Sequence, residues 1–305
     1  MMKVLFLSAP LKERIWGGDY FKKINRTDKE NIGELWSASA HKEGESIITN
    51  GCCEGKKLSE VYANCPELFN SPTLKEFPIL VKLIYAKDPL SVQVHPNDEY
   101  ALKYENQYGK TEGWLVLDAL ENSTLVLGHN AKNKEELEQY IANDDYDNLL
   151  KTVNVKPGEF YPIYAGTVHA IGAGLTILEI QQSSDVTYRF YDYHRKDANG
   201  NERQLHVQQA VAVTTYNECE LDKTNHLEQP SHVLWDNEYF KVSSINVQGE
   251  SAFEQPENYA IITVATGEYE LDGKKLAVGD SFILTKKAND VTIKGDGVLV
   301  RTDAK

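Results

Sequence analysis

This 305-residue chain lacks three things, and each absence removes a class of protein. No apolar stretch approaches the ~18 residues that a membrane-crossing helix needs, so no span is expected. The opening MMKVLFLSAP has one Lys and a short apolar run, Val4 to Leu7. That is below the ~7–15 residues of a signal-peptide core, and the expected location is the cytoplasm. Cysteine is scarce: Cys52, Cys53, Cys65 and Cys219 show neither zinc-knuckle nor disulfide spacing. Any metal must then be held by histidine and carboxylate. An excess of positive charge is also absent, with 32 Lys plus Arg against 46 Asp plus Glu, or −14 net. Phosphate backbones attract the opposite sign of surface, which excludes a general nucleic-acid binder. A small anion held by a few local cations remains compatible with this charge.

What is present reads as globular. The chain is 41% apolar and 10% aromatic, and its length suggests about two domains. Short alternating runs dominate: FPILVKLIYA (77–86), LSVQVH (90–95), GWLVLDA (113–119), LTILEIQQ (175–182) and VTYRFYDY (186–193). Their β-branched and aromatic content, bordered by Gly, Pro, Asn and Asp, predicts a mainly β protein of sandwich or barrel type. Helices are predicted twice within 133–153, broken near Asn143–Asp145. Others are predicted after Pro96-Asn97-Asp98, within 205–216, and within Leu58 to Phe69. Beyond about Leu227 only short strand patterns follow. VKPGEFYPI (155–163) is echoed by LAVGDSFIL (276–284). We therefore expect two related β modules, residues 1–228 with the helical insertions and a smaller module, 229–305.

The chemistry concentrates in the first module, since no histidine lies beyond His232. In Leu90 to Pro96, period two puts Leu90, Val92 and Val94 on one face and Ser91, Gln93 and His95 on the other. Gln93 and His95 can then converge on one ion, although for this segment alone a solvated outer face is the plainer reading. Lys110, Glu112 and Trp114 share a parity at the start of a strand. Ionised groups are costly to bury unless paired or metal-bound, and a surface ion pair is the plainer alternative. His169 follows Gly166 at the start of a strand, where a core histidine bonded to a carbonyl is the alternative. Thr187, Arg189 and Tyr191 share a face, and an arginine there needs a carboxylate, phosphate or sugar oxygen, or an aromatic ring.

Taken in order, the segments PLKERIWGG (10–18), GELWSASAH (33–41), LSVQVHPND (90–98), GKTEGW (109–114), GTVHAIG (166–172) and QQSSDVTYRFYDY (181–193) resemble the zinc-dependent mannose-6-phosphate isomerases of the cupin type, in their short bacterial form. The resemblance covers most of residues 1–230 and is looser beyond. It implies two cupin-type jelly-roll modules, each closing two sheets over a cavity, the second one metal-free. It puts zinc ligands at Gln93, His95, Glu112 and His169, an essential arginine at Arg189, and a catalytic role at Lys110. Lys82, Ser91, Lys110 and Glu34 fall around the substrate or its phosphate, with His41 nearby. Tyr164 and Gly113 depart from the family pattern at positions that are not ligands. The implied reaction interconverts mannose 6-phosphate and fructose 6-phosphate through a zinc-stabilised cis-enediol(ate), with one Zn²⁺ per chain and a sugar phosphate as partner. The base (metal-bound water, Lys110 or Glu34) and the oligomeric state stay open. Two other readings stand beside it: a cupin oxygenase, since two histidines and a carboxylate also hold iron, and a non-catalytic sugar-phosphate binder.

Overall fold

A computed structural model describes residues 2–70, 74–196, 200–219 and 221–305. Its described residues build three antiparallel sheets. The first, of five strands, runs Tyr188–Tyr191, Val92–Val94, His169–Ile171, Thr124–His129 and Leu150–Asn154. The second, of six, runs Leu11–Gly18, Ile32–Ala38, Ile79–Ala86, Leu175–Gln182, Glu112–Ala119 and Phe160–Ile163. The third, of eight, takes its strands from His232–Asp236 to Val291–Ala304 and adds Val4–Phe6 at one edge.

The six-stranded sheet is the middle layer, and strand alternation is what lets it serve two cores. Leu115, Phe160, Leu178 and Ile180 pack with Trp235, Phe240, Ile261 and Val300 of the eight-stranded sheet. The residues between or beside them, Trp114, Val116, Tyr161 and Ile177, pack with Leu125, Leu127 and Ile171 of the five-stranded sheet. Each such side chain, fully buried, contributes about 1.5–3 kcal/mol. A single-residue slip would exchange the two faces. Any polar side chain on the second face is therefore enclosed between two sheets.

Helices Lys134–Ala142, Tyr146–Leu149 and Val207–Val213 cover the outer face of the five-stranded sheet, where Leu137, Tyr146, Leu149 and Ala210 meet Val92, Val94, Ala170 and Phe190. Helix Lys134–Ala142 starts where the Asn133 side chain accepts from the Glu136 amide at 2.9 Å. It stops before Asp144, which has φ +54°. Its successor is shorter than the sequence pattern implied. After the single turn Tyr146–Leu149, the β-branched stretch Leu150–Asn154 pairs with Thr124–His129 instead.

Two facing assignments change. A register shift between Arg189 and Tyr191 turns Tyr191 away from the Arg189 face, and it stacks on Tyr146 at 3.9 Å. Leu90 lies outside strand Val92–Val94 and packs in the core between the five- and six-stranded sheets, not with Val92 and Val94. At the periphery, Arg26 ties the N-terminal segment to the turn before strand Ser281–Leu284. Its guanidinium is 2.7 Å from Asp280 and donates to the Ala277 and Val278 carbonyls.

Candidate metal centre and active site

Cross-strand register assembles one wall of the site. His169 lies opposite Gln93, and Gln93 lies opposite Arg189. Opposed residues of antiparallel strands share a face, so Arg189, Gln93 and His169 form a row, with His95 two residues beyond Gln93. The row faces the six-stranded sheet, since the His169 ring meets the edge of Trp114 at 5.3 Å. The facing wall carries Glu112, opposite Gln181, and a second row of Lys82, Glu179 and Trp114.

His95 Nδ1 is 2.8 Å from the Val186 carbonyl, and His169 Nδ1 is 2.8 Å from that of Thr167. A carbonyl only accepts, so each Nδ1 carries the hydrogen and each Nε2 presents a lone pair. Those two Nε2 atoms are 3.2 Å apart. Glu112 adds a carboxylate, with Oε1 3.4 Å from His169 Nε2 and Oε2 3.8 Å from His95 Nε2. Both carboxylate oxygens are buried, and neither receives a well-directed hydrogen bond. Lys110 Nζ pairs with Oε2 at 2.8 Å and lies 3.2 Å from His95 Nε2.

Burial lowers the pKa of both imidazoles, with the Lys110 charge adding to it: His169 falls to about 3 and His95 falls well below its ordinary value. Burial also pushes Glu112 up to about 7, reinforced by the Glu179 charge and opposed by Lys110. Two neutral imidazole lone pairs and a poorly satisfied carboxylate, all within 4.8 Å, form the one candidate ligand cluster among the described residues. Such a set repels itself when empty and fits a divalent cation, for which histidine nitrogen and carboxylate oxygen are ordinary ligands. The carbonyls behind each ring are the outer partners that fix ligand orientation in metal sites. Gln93 Nε2 is 3.4 Å from His169 Nε2. A half-turn of the amide would present its oxygen there instead.

Around this cluster lies a buried charge network. Lys82 Nζ is 2.7 Å from Glu179 and 2.5 Å from Gln181 Oε1, and Trp114 Nε1 donates to Glu179 at 3.1 Å. Burial alone would raise Glu179, but Lys82 and Lys110 outweigh it and hold that carboxyl at about 2. Glu34 sits nearby, its oxygens taken by Arg14 at 2.8 and 3.1 Å and by Trp36 Nε1 at 2.7 Å. Its own burial penalty is likewise outweighed, by Lys82 and Arg14. Ser91 is buried just before strand Val92–Val94. Arg189 donates to the Gln204 carbonyl at 2.8 Å, while its Nε is buried without a partner. His41 lies 3.7 Å from Asp185 and lines a surface groove of about 660 Å³ with Lys42, Tyr62, Lys75 and Tyr108. No metal-ligand candidate lines that groove.

Reasoning from sequence missed Glu179 and Arg14. The signal for Glu179 was there, since a lone acid inside the apolar run LTILEIQQ must find a partner. Arg14 carried no such signal, because only the pairing of its strand with Ile32–Ala38 brings it to Glu34.

Stacked jelly-roll sheets enclosing a two-histidine, one-carboxylate cage define a cupin with a candidate metal site. Residues 4–113 match the model of the phosphomannose isomerase type I catalytic domain, and 231–303 that of the mannose-6-phosphate isomerase cupin domain. The mannose-6-phosphate isomerase of Streptococcus mutans serotype c is 40% identical, over 97% of this chain and 96% of that protein. The mannose-6-phosphate isomerase ManA of Bacillus subtilis is 42% identical, over 87% of this chain and 86% of that protein. A crystal structure of the mannose 6-phosphate isomerase from Bacillus subtilis superposes with a TM-score of 0.90 at 36% identity, covering 99% of both chains. The chain belongs to the type I mannose-6-phosphate isomerase family.

Proposed function

We propose that this chain interconverts mannose 6-phosphate and fructose 6-phosphate with one Zn²⁺ held by His95, His169, Glu112 and Gln93. The observation that carries the reading is the pair of Nε2 lone pairs 3.2 Å apart above an under-bonded, buried carboxylate. Bound there, the ion supplies Lewis-acid stabilisation of negative charge on the sugar O1 and O2.

The remaining work falls to the chain itself. Isomerisation moves a proton between C1 and C2 and consumes no redox cofactor. Lys110, an ammonium paired with Glu112, stands close to the ligand cluster, where it can donate to a sugar oxygen as negative charge develops there. Arg189 turns its unpartnered Nε toward an anionic oxygen, and its planar fork suits a phosphate or an enediolate. Lys82 and Ser91 bind the substrate, and Glu34, fixed by Arg14 and Trp36, lines the same cavity. Enclosure between two sheets excludes water and strengthens each of these interactions. Lys82, Lys110 and Arg189 make a local positive field inside an acidic protein, which fits a sugar phosphate. The metal chemistry belongs to the module of residues 1–228. The interior of the smaller module, 229–305, is filled by side chains such as Phe253, Ile262 and Phe282.

The deciding experiment is a coupled assay of mannose 6-phosphate conversion before chelation, after it, and after zinc is returned. Turnover should vanish and come back. An inactive zinc-loaded protein would remove the proposal, and oxygen consumption with iron would replace it with the oxygenase reading.

A further inference from the structure

The short stretch that carries Lys110 is held with unusual thoroughness. Three consecutive main-chain amides are each bonded to a different group. Gly109 N donates to Asp98 Oδ1 at 2.7 Å, Lys110 N to the Pro96 carbonyl at 3.0 Å, and Thr111 N to Gln182 Oε1 at 2.9 Å. The two side-chain acceptors are themselves joined, since Gln182 Nε2 donates to Asp98 Oδ1 at 3.0 Å. Asp98 and Gln182 come from different parts of the fold, the first residue of helix Asp98–Tyr104 and the last of strand Leu175–Gln182. Neither reaches the ligand cluster itself. What they bracket is one residue, whose ammonium lies between Glu112 and His95. Tyr239 of the smaller module lines the same crevice as Asp98 and Gln182.

We propose that Asp98, acting with Gln182, is a positioning residue that sets where the Lys110 ammonium stands. The inference rests on the assignment of Lys110 above. A long lysine side chain has several rotatable bonds and places its charge accurately only if its backbone is fixed. A free strand start would let Nζ wander by an ångström or more, enough to cost on the order of 100-fold in rate. The Asp98–Gln182 pair removes that freedom on both sides of the residue.

The test compares Asp98→Ala with Asp98→Asn, because an asparagine keeps Oδ1 for both Gly109 and Gln182. Asp98→Ala should lower kcat by about 10- to 100-fold, and Asp98→Asn should stay within about threefold of wild type. Both should keep a full complement of zinc by metal analysis, and the Thr111 amide should exchange its hydrogen faster only in the alanine variant. If Asp98→Ala does not fold, Gln182→Ala decides, with the same fall in kcat and full zinc expected. An alanine variant with wild-type kcat overturns the inference. So does one that loses zinc along with activity, since Asp98 would then be supporting Glu112. Lys110→Ala separates the two levels: wild-type turnover in that variant removes Lys110 itself, whereas an impaired Lys110→Ala beside a fully active Asp98→Ala removes only the role of Asp98.

Discussion

Gly109 is the position at which a single methyl group should do the most to separate folding from catalysis. A Cβ built there would lie 2.4 Å from the carbonyl carbon of Asn97, 2.6 Å from the Asp98 nitrogen and 2.7 Å from the Pro96 oxygen. All three are backbone atoms, so no rotamer change relieves the clash. Non-bonded carbon contacts are comfortable at ~3.5–4.0 Å, which leaves a shortfall of about 1 Å. The seam between 96–98 and 109–111 must open by that amount, and it is the seam that sets His95 against Lys110 and Glu112. Overpacking of this kind costs about 1–3 kcal/mol, less than the ~5–15 kcal/mol that holds a typical protein together. Gly109→Ala should therefore fold, with Tm lowered by roughly 2–10 °C. Its kcat/KM should fall by about 100-fold, the usual consequence of a 1 Å error in placing reacting groups. Gly55→Ala is the control, for Gly55 has φ +80° and nothing within 4 Å of its would-be Cβ. That variant should lose ~1–2 kcal/mol of stability from the left-handed conformation alone and keep full activity. The assay is zinc-saturated steady-state kinetics beside thermal melts. Wild-type kcat/KM in Gly109→Ala with a lowered Tm would show that the seam yields without moving the site, and the reasoning would fail.

Other expectations concern the charges. Glu112→Gln preserves volume but deletes the only negative charge in the ligand cluster; after dialysis its zinc content should fall far below one per chain. The affinity loss should exceed the ~10- to 100-fold seen when an outer partner of a metal ligand is removed, and full zinc by elemental analysis would contradict this. Asp192 is buried and gripped by Arg203 at 2.6 Å through two bonds and by Arg195, which also reaches the Pro89 carbonyl. Asp192→Ala should cost about 3–5 kcal/mol, the size expected when one partner of a buried pair is removed, as read in urea unfolding. The same carboxyl gives a pH signature. Burial raises its pKa, but Arg203 and Arg195 outweigh burial and hold it below the usual value. Its contribution is therefore present above the unfolded-state pKa of ~3.9 and is lost as pH falls through the lower folded value. Wild type should lose stability below about pH 4 more steeply than Asp192→Asn.

Much of the site was legible because strand alternation is a local property. Gln93 and His95 two apart, Glu112 at the head of an apolar strand and His169 after the Gly166 turn could each be picked out, and the resemblance named all four together. What stayed hidden depends on which strands pair. The Arg189–Gln93–His169 row exists only through the register of three strands. The irregularity that turns Tyr191 away from that row leaves no mark in VTYRFYDY, where alternation predicts a common face. Glu179 was passed over because its run reads as plain core, and its role emerges only when Lys82 and Trp114 are seen on either side of it. Leu150–Asn154 became a strand because an open edge was available beside Thr124–His129, which outweighed its continuity with the helix before it.

The pairing of Val4–Phe6 with Ser281–Leu284 bears on how the molecule is made. The side chain of Leu5 is fully buried in the core between the six- and eight-stranded sheets. Its partner strand is synthesised roughly 275 residues later, an interval of about 14 to 55 s at ~5–20 residues per second. For that time a hydrophobic strand edge made at the outset has nothing to join, a condition that invites association between nascent chains. The five- and six-stranded sheets can complete their cage before the strands from His232 onward exist, but the molecule as a whole closes only when the last-made sheet takes back one of the first-made strands.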